Sequence, residues 1–178
     1  MMRAFLLIVV LLFSETLYAD MPTMSDDGWY RWQIESPEGS HMYCWQRDFS
    51  YTSKCDAQSN PGALYIYARK RKGDIVDIRI RSEQCSVEDE DEFRDLGVVA
   101  NVDSIGWLKA LAEANTRASE DATGAIAAHA SIEALPVLIS LVENKRLDQD
   151  VREQALFWVV QSSDDEAYVY LDKLLVGR

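Results

Sequence analysis

The spacing of apolar residues changes once along this chain, near residue 100, and that change limits the folds open to it. Before it, short runs rich in aromatic and β-branched residues alternate with polar ones: 29–34 (WYRWQI), 42–46 (MYCWQ), 63–68 (ALYIYA) and 75–80 (IVDIRI). A period of two places successive side chains on opposite faces of a strand. The alternation is clearest at Leu64, Ile66 and Ala68, and it slips once between Ile75 and Ile78. Turn residues separate the runs: Ser36-Pro37-Glu38-Gly39, Asn60-Pro61-Gly62 and Arg71-Lys72-Gly73-Asp74. The last of these makes a hairpin of 63–80. These features predict a small antiparallel sheet with one face covered.

From Asp103 onward the period is helical. Asp103 or Ser104 is placed to cap a first helix with Ile105, Leu108, Leu111 and Ala112 along one side. Ser119 or Asp121 starts a second helix through Ala130. Ser131 caps a third, carrying Leu135, Leu138, Ile139 and Val142. Asp148 or Asp150 opens a fourth, carrying Ala155, Trp158, Val159 and Ser162. Asp164 opens a fifth, with Ala167, Val169, Leu171, Leu174 and Leu175, and Gly177 ends it. Sliding the chain by 33 residues lays Ala122 on Ala155, Ile126 on Val159, Glu133-Ala134 on Glu166-Ala167, Leu138 on Leu171 and Leu141 on Leu174. Two copies of a helical hairpin follow, each too short to bury its own apolar face.

Ala134-Leu135-Pro136-Val137-Leu138, the stretch 151–158 (VREQALFW) and the stretch 161–167 (QSSDDEA) give the helical half a texture that resembles HEAT repeats. Trp29-Tyr30-Arg31-Trp32, Cys44 with Arg47, Cys85-Ser86-Val87, and Leu96-Gly97 followed by Ser104 and Trp107-Leu108 extend the likeness. With them the chain resembles exported bacterial HEAT-repeat proteins in which a small cysteine-bearing β region precedes the helices. The resemblance implies a binding scaffold with no known reaction. This chain has few repeats, and Tyr43 stands where such proteins carry a further cysteine, so the resemblance does not carry over a two-disulfide framework.

The amino terminus fits export. Met1-Met2-Arg3, an apolar run over 4–13 and a small residue at Ala19 follow the order of a secretory signal peptide. A spanning helix needs roughly 20 apolar residues, and Ser14-Glu15-Thr16 interrupts this run well before that. The expectation is cleavage after Ala19, no stable membrane insertion afterwards, and a periplasmic or secreted mature chain of about 159 residues. That chain divides into a β region over 20–100, with an acidic connector at 88–92, and a helical region over 101–178. The net charge of −12 opposes binding to nucleic acid, whose phosphates need a basic face, and favours a basic protein partner. Five consecutive acids at 88–92 repel one another and belong in water. They lack the spacing and central glycine of a calcium-binding loop.

Three cysteines, Cys44, Cys55 and Cys85, are disulfide candidates in an exported chain. An odd number leaves at least one thiol over. Cys44 and Cys55 flank a hairpin and are the favoured pair; Cys85 is then unpaired, or an alternative partner to either. No CxxC spacing points to zinc. No cofactor motif and no phosphate loop or nucleophile elbow occurs. His41 reads as a surface residue at a strand edge. His129, near a helix end, reads as a hydrogen-bond partner of terminal carbonyls rather than as a catalyst. Asp164-Asp165 read as helix caps. Trp29, Trp32 and Trp45 with Tyr30, Tyr43, Tyr65 and Tyr67 are either the core of the sheet or a stacking surface. Trp107 and Trp158 read as buried. Tyr168 and Tyr170 lie about 200° apart on a helix, so one of them is free to face a partner. The candidate interaction surface is therefore Tyr168, Tyr170, Trp29 and Trp45. The predicted fold is α+β, a small antiparallel β unit followed by a short HEAT-like stack. The predicted activity is protein interaction without catalysis; a thiol-exchange protein using the odd cysteine and a structural envelope component are the alternatives.

Overall fold

The computed structural model describes residues 21–35, 63–83 and 93–177. Four strands precede five helices: β1 (Gly28–Ile34), β2 (Leu64–Arg71), β3 (Asp74–Ser82) and β4 (Phe93–Val98) are followed by α1 (Asn101–Glu113), α2 (Ser119–Ala127), α3 (Ser131–Glu143), α4 (Gln149–Gln161) and α5 (Asp165–Val176). The fold is α+β. The signal segment, the run at 42–46 and the acidic run at 88–92 lie outside the described residues.

The strands lie in the order β3-β2-β1-β4. β1 pairs antiparallel with β2, and β2 with β3, but β4 runs parallel to β1. The sheet is therefore mixed, which corrects the antiparallel expectation. β4 (FRDLGV) has no apolar alternation of its own. It is held to β1 by side chains as well as by the ladder, with Arg31 Nε and Nη2 donating to Asp95 Oδ2 at 2.9 and 2.7 Å. The hairpin between β2 and β3 turns on Lys72 and Gly73, at φ 55° and 89°, the pair of positive φ angles that a two-residue primed turn requires. Asp27 secures this turn from outside by accepting the backbone N–H groups of Lys72 (2.6 Å) and Gly73 (3.2 Å). Those two bonds hold its carboxyl below the usual range. The slip between Ile75 and Ile78 is a bulge. Arg69 pairs with Asp77 and Lys70 with Ile75, so Val76 is the extra residue.

The helices start and stop close to the expected places, but the first four lack the expected caps. α1, α2, α3 and α4 start behind Ala100, Ala118, Ala130 and Asp148, none of which makes a side-chain cap bond; Asp103, Ser104 and Ser131 lie within their helices, and α2 stops at Ala127, short of Ala130. α5 does have its expected cap, Asp164 accepting the N–H of Glu166 at 3.0 Å, and Gly177 closes it in the left-handed conformation. Tyr30 is buried on the inner face of the sheet, and Trp32, Ile34, Leu64, Ile66 and Ala68 on the same face are buried in one apolar cluster that continues through Leu108, Ile126, Leu138 and Val159 of the helices. Trp107 and Trp158 are partly rather than fully buried. Trp107 meets Trp32 edge-on at 5.5 Å, and Trp158 lies against Gly124, whose missing side chain leaves the indole room on α2.

Candidate functional site

The 33-residue repeat is visible in the helices, because that shift lays α2 on α4 and α3 on α5. Its buried positions agree at first: Ala122 and Ala155 are both fully covered, as are Ile126 and Val159, and Ala134 and Ala167. The equivalence then fails. Leu138 and Leu141 of α3 are buried, whereas Leu171 is only partly covered and Leu174 is 49% exposed. α3 is packed between α1, α2 and α4, while α5 rests on α4 and buries Ala167 alone. Val169 and Leu175, expected on the packing stripe, are exposed instead, Leu175 to 87%.

Tyr168 and Tyr170 divide as their spacing requires: Tyr168 is 60% exposed and Tyr170 is partly buried. Burial pushes the Tyr170 hydroxyl up, helped by Glu143 and opposed by Arg152. Tyr168, Leu171 and Leu175 follow an i, i+3, i+7 spacing and so form one edge of α5. Val176 on α5 and Phe157 and Val160 on α4 are also about half exposed. By the same spacing Asp164, Asp165 and Asp172 lie along or beside this edge, and Lys173 is the basic residue of the helix.

Trp29 sits elsewhere, on the outer face of the sheet, because the alternation that buries Tyr30 and Trp32 turns it outward. Tyr65 and Tyr67 face the same way, so the aromatics are split between a core set and a surface set. The outer rings lie under guanidinium groups. Arg31 stands 4.2 Å from the Phe93 ring centre and 4.9 Å from that of Tyr65. Arg79 and Arg69 stand 4.6 and 5.5 Å from that of Trp29, and Arg81 is 5.8 Å from that of Tyr67. Trp45, Tyr43, His41 and the three cysteines lie outside the described residues.

The buried polar residues form a third constellation, missed by reading Ser104 as a cap. Trp32 Nε1 donates to Ser104 Oγ at 2.9 Å, and Ser104 Oγ lies 3.0 Å from His129 Nε2. His129 Nδ1 faces the carbonyls of Ala125 (2.9 Å) and Ile126 (3.2 Å). Carbonyls only accept, so Nδ1 carries the proton, Nε2 accepts, and Ser104 donates to it. Every polar side-chain atom of the trio has a partner. Burial pushes the ring down to about 4, against the pull of the two carbonyls, so it is neutral near pH 7. A serine beside a histidine invites a catalytic reading, but Ser104 and His129 are 0% and 2% exposed. The far nitrogen meets backbone rather than an orienting carboxylate. The trio ties β1, α1 and the end of α2 together.

A pH effect follows. The folded pKa of His129 lies below its ordinary 6.5, so its contribution is complete above that pH and is lost as pH falls toward 4. Asp121 works in the opposite sense: its side chain still reaches water, but partial desolvation first, then Asp77 and Glu120, push its carboxyl up to about 6 against the pull of Arg79 and Arg117. Its contribution is present below its ordinary 3.8 and is lost as pH rises through 6. Asp121→Asn should therefore match the parent in stability near pH 3.8 and exceed it increasingly up to about pH 6. Urea midpoints across that range check this; a gap independent of pH contradicts it.

Among the described residues, no group of three or more His, Cys, Asp or Glu side chains could hold a metal ion, and no helix is long and apolar enough to cross a membrane. No family model, curated protein or solved structure matches this chain.

Proposed function

We propose that this protein is a non-enzymatic, exported interaction module of the HEAT-repeat type, and that it engages a basic protein partner through the open side of α4 and α5. One observation carries this reading: Leu135, Leu141 and Val142, buried in α3, have the exposed residues Tyr168, Leu174 and Leu175 as their repeat equivalents in α5. A stack of helical hairpins buries each unit against the next, so an uncovered apolar face is the place where a further helix fits. Its chemistry is specified by what surrounds it. Apolar side chains at helical spacing suit the apolar stripe of an amphipathic helix, and the bordering acids suit lysines or arginines beside that stripe. A second copy of this chain, with the same net charge of −12, is repelled by the same acids.

The test uses a fluorescent amphipathic helical peptide of lysine and leucine, with a glutamate–leucine peptide of the same pattern as its control. The first should bind saturably and the second should not. Tyr168→Asp with Leu175→Asp should weaken binding by about tenfold or more while leaving the unfolding midpoint nearly unchanged, since both side chains are already in water. Equal binding of the two peptides, or binding indifferent to those substitutions, contradicts the proposal.

A further inference from the structure

In a chain of net charge −12, four arginines share one surface, the outer face of the sheet. Cross-strand pairing sets Arg81 opposite Tyr65, Arg79 opposite Tyr67, Tyr67 opposite Arg31, and Arg69 opposite Trp29. Among the described residues of these rows, Asp77 and Asp95 offset them, facing Arg69 and Arg31. We propose that this face is a docking surface for an extended acidic segment of a partner protein, recognised by the guanidinium groups of Arg31, Arg69, Arg79 and Arg81.

Three observations select an acidic polypeptide over other anions. First, Trp29, Tyr65, Tyr67 and Phe93 lie under guanidinium groups, so a sugar or a nucleobase that must stack on a ring competes with an arginine already there. Second, the face already holds carboxylates in the geometry a ligand would adopt. Arg79 grips Asp77 through Nε (3.1 Å) and Nη2 (2.8 Å), and Arg31 grips Asp95 through the same two nitrogens. A guanidinium has five N–H donors, so each has donors beyond the edge those aspartates use. Arginines stacked on rings are also held flat, which lowers the ordering cost of gripping a further carboxylate. Third, Arg79 and Arg81 alternate along β3 at about 6.8 Å, the same repeat at which an extended peptide presents alternate side chains. The acids elsewhere on the protein weaken the attraction only modestly, because charges beyond about 8–10 Å are screened at physiological salt.

This inference is independent of the α5 reading, and its probe has the opposite charge. The probe is fluorescein-labelled hexaglutamate, followed by anisotropy at low ionic strength, with hexaglutamine as control. Hexaglutamate should bind and hexaglutamine should not, and added salt should weaken the complex. Arg69→Gln combined with Arg81→Gln should weaken it by about tenfold or more. Asp95→Asn, which releases the Arg31 fork, should tighten it several-fold, a gain that misfolding does not produce. Absence of hexaglutamate binding overturns the proposal, as does tighter binding of single-stranded oligothymidylate or dextran sulfate through the same arginines. Binding seen only after Glu88 through Glu92 are replaced by neutral amides also overturns it, by showing that this chain's own acidic run competes for the face.

Discussion

Replacing Trp32 by alanine should remove about 3–5 kcal/mol of stability, the range for deleting a fully buried large aromatic. Domains are typically stable by about 5–15 kcal/mol, so one substitution of this size accounts for a large fraction of the total. Three losses coincide at this position. The side chain is 0% exposed, so its removal opens a cavity between the sheet and α1. Its edge contact with Trp107 disappears. Ser104 Oγ also loses the hydrogen that it accepts from the indole. Urea unfolding followed by far-UV circular dichroism checks the value. A loss below about 0.5 kcal/mol, the size of an ordinary surface change, would mean that the sheet and the helices do not share a core at this residue.

Ser104→Ala should cost on the order of 2–6 kcal/mol although it deletes a single oxygen. That oxygen accepts from Trp32 and donates to His129, so its removal strands two buried polar groups, each at about 1–3 kcal/mol. The partners make the cause separable. Trp32→Phe keeps most of the ring and removes the indole N–H, and in that background Ser104→Ala should cost less than in the parent. A coupling of about 0.5–3 kcal/mol between the two positions is expected, measured as a double-mutant cycle in urea. Strict additivity would mean that the hydrogen bond contributes nothing and that the serine matters only for its volume.

Local order was legible in the sequence because it is written in neighbouring residues. The alternation of 63–68 and 75–80, the Lys72-Gly73 turn and the slip that became a bulge are all decided within a few positions. The helices and their 33-residue repeat are equally local in origin. β4 was not legible, since the ladder to β1 and the Arg31–Asp95 contact that hold it join residues about 64 apart in the chain, and its own sequence puts charges where a strand pattern expects apolar groups. The role of Ser104 was hidden for the same reason. A serine near a helix start satisfies the rules for a cap, and nothing nearby reveals partners that lie 72 and 25 residues away. The position of His129 suggested its carbonyl partners but not the serine. Among the aromatics, composition alone could not divide Tyr30 and Trp32 from Trp29, Tyr65 and Tyr67. Alternation does so once the inner face is known, and the arginines interleaved with the outward set, Arg31, Arg69, Arg79 and Arg81, were the available signal for that second surface.

The docking role assigned to α5 requires a helix that is bare when the protein is alone and covered when its partner's chemistry is supplied. Amide hydrogen exchange, resolved by peptide, reads both states in one experiment. Residues 165–176 should exchange faster than residues 131–143 in the free protein, and the lysine–leucine peptide should slow exchange there while leaving the sheet unchanged. Equal protection of α3 and α5 in the free protein, or peptide-dependent protection that falls on the strands instead, would contradict this role.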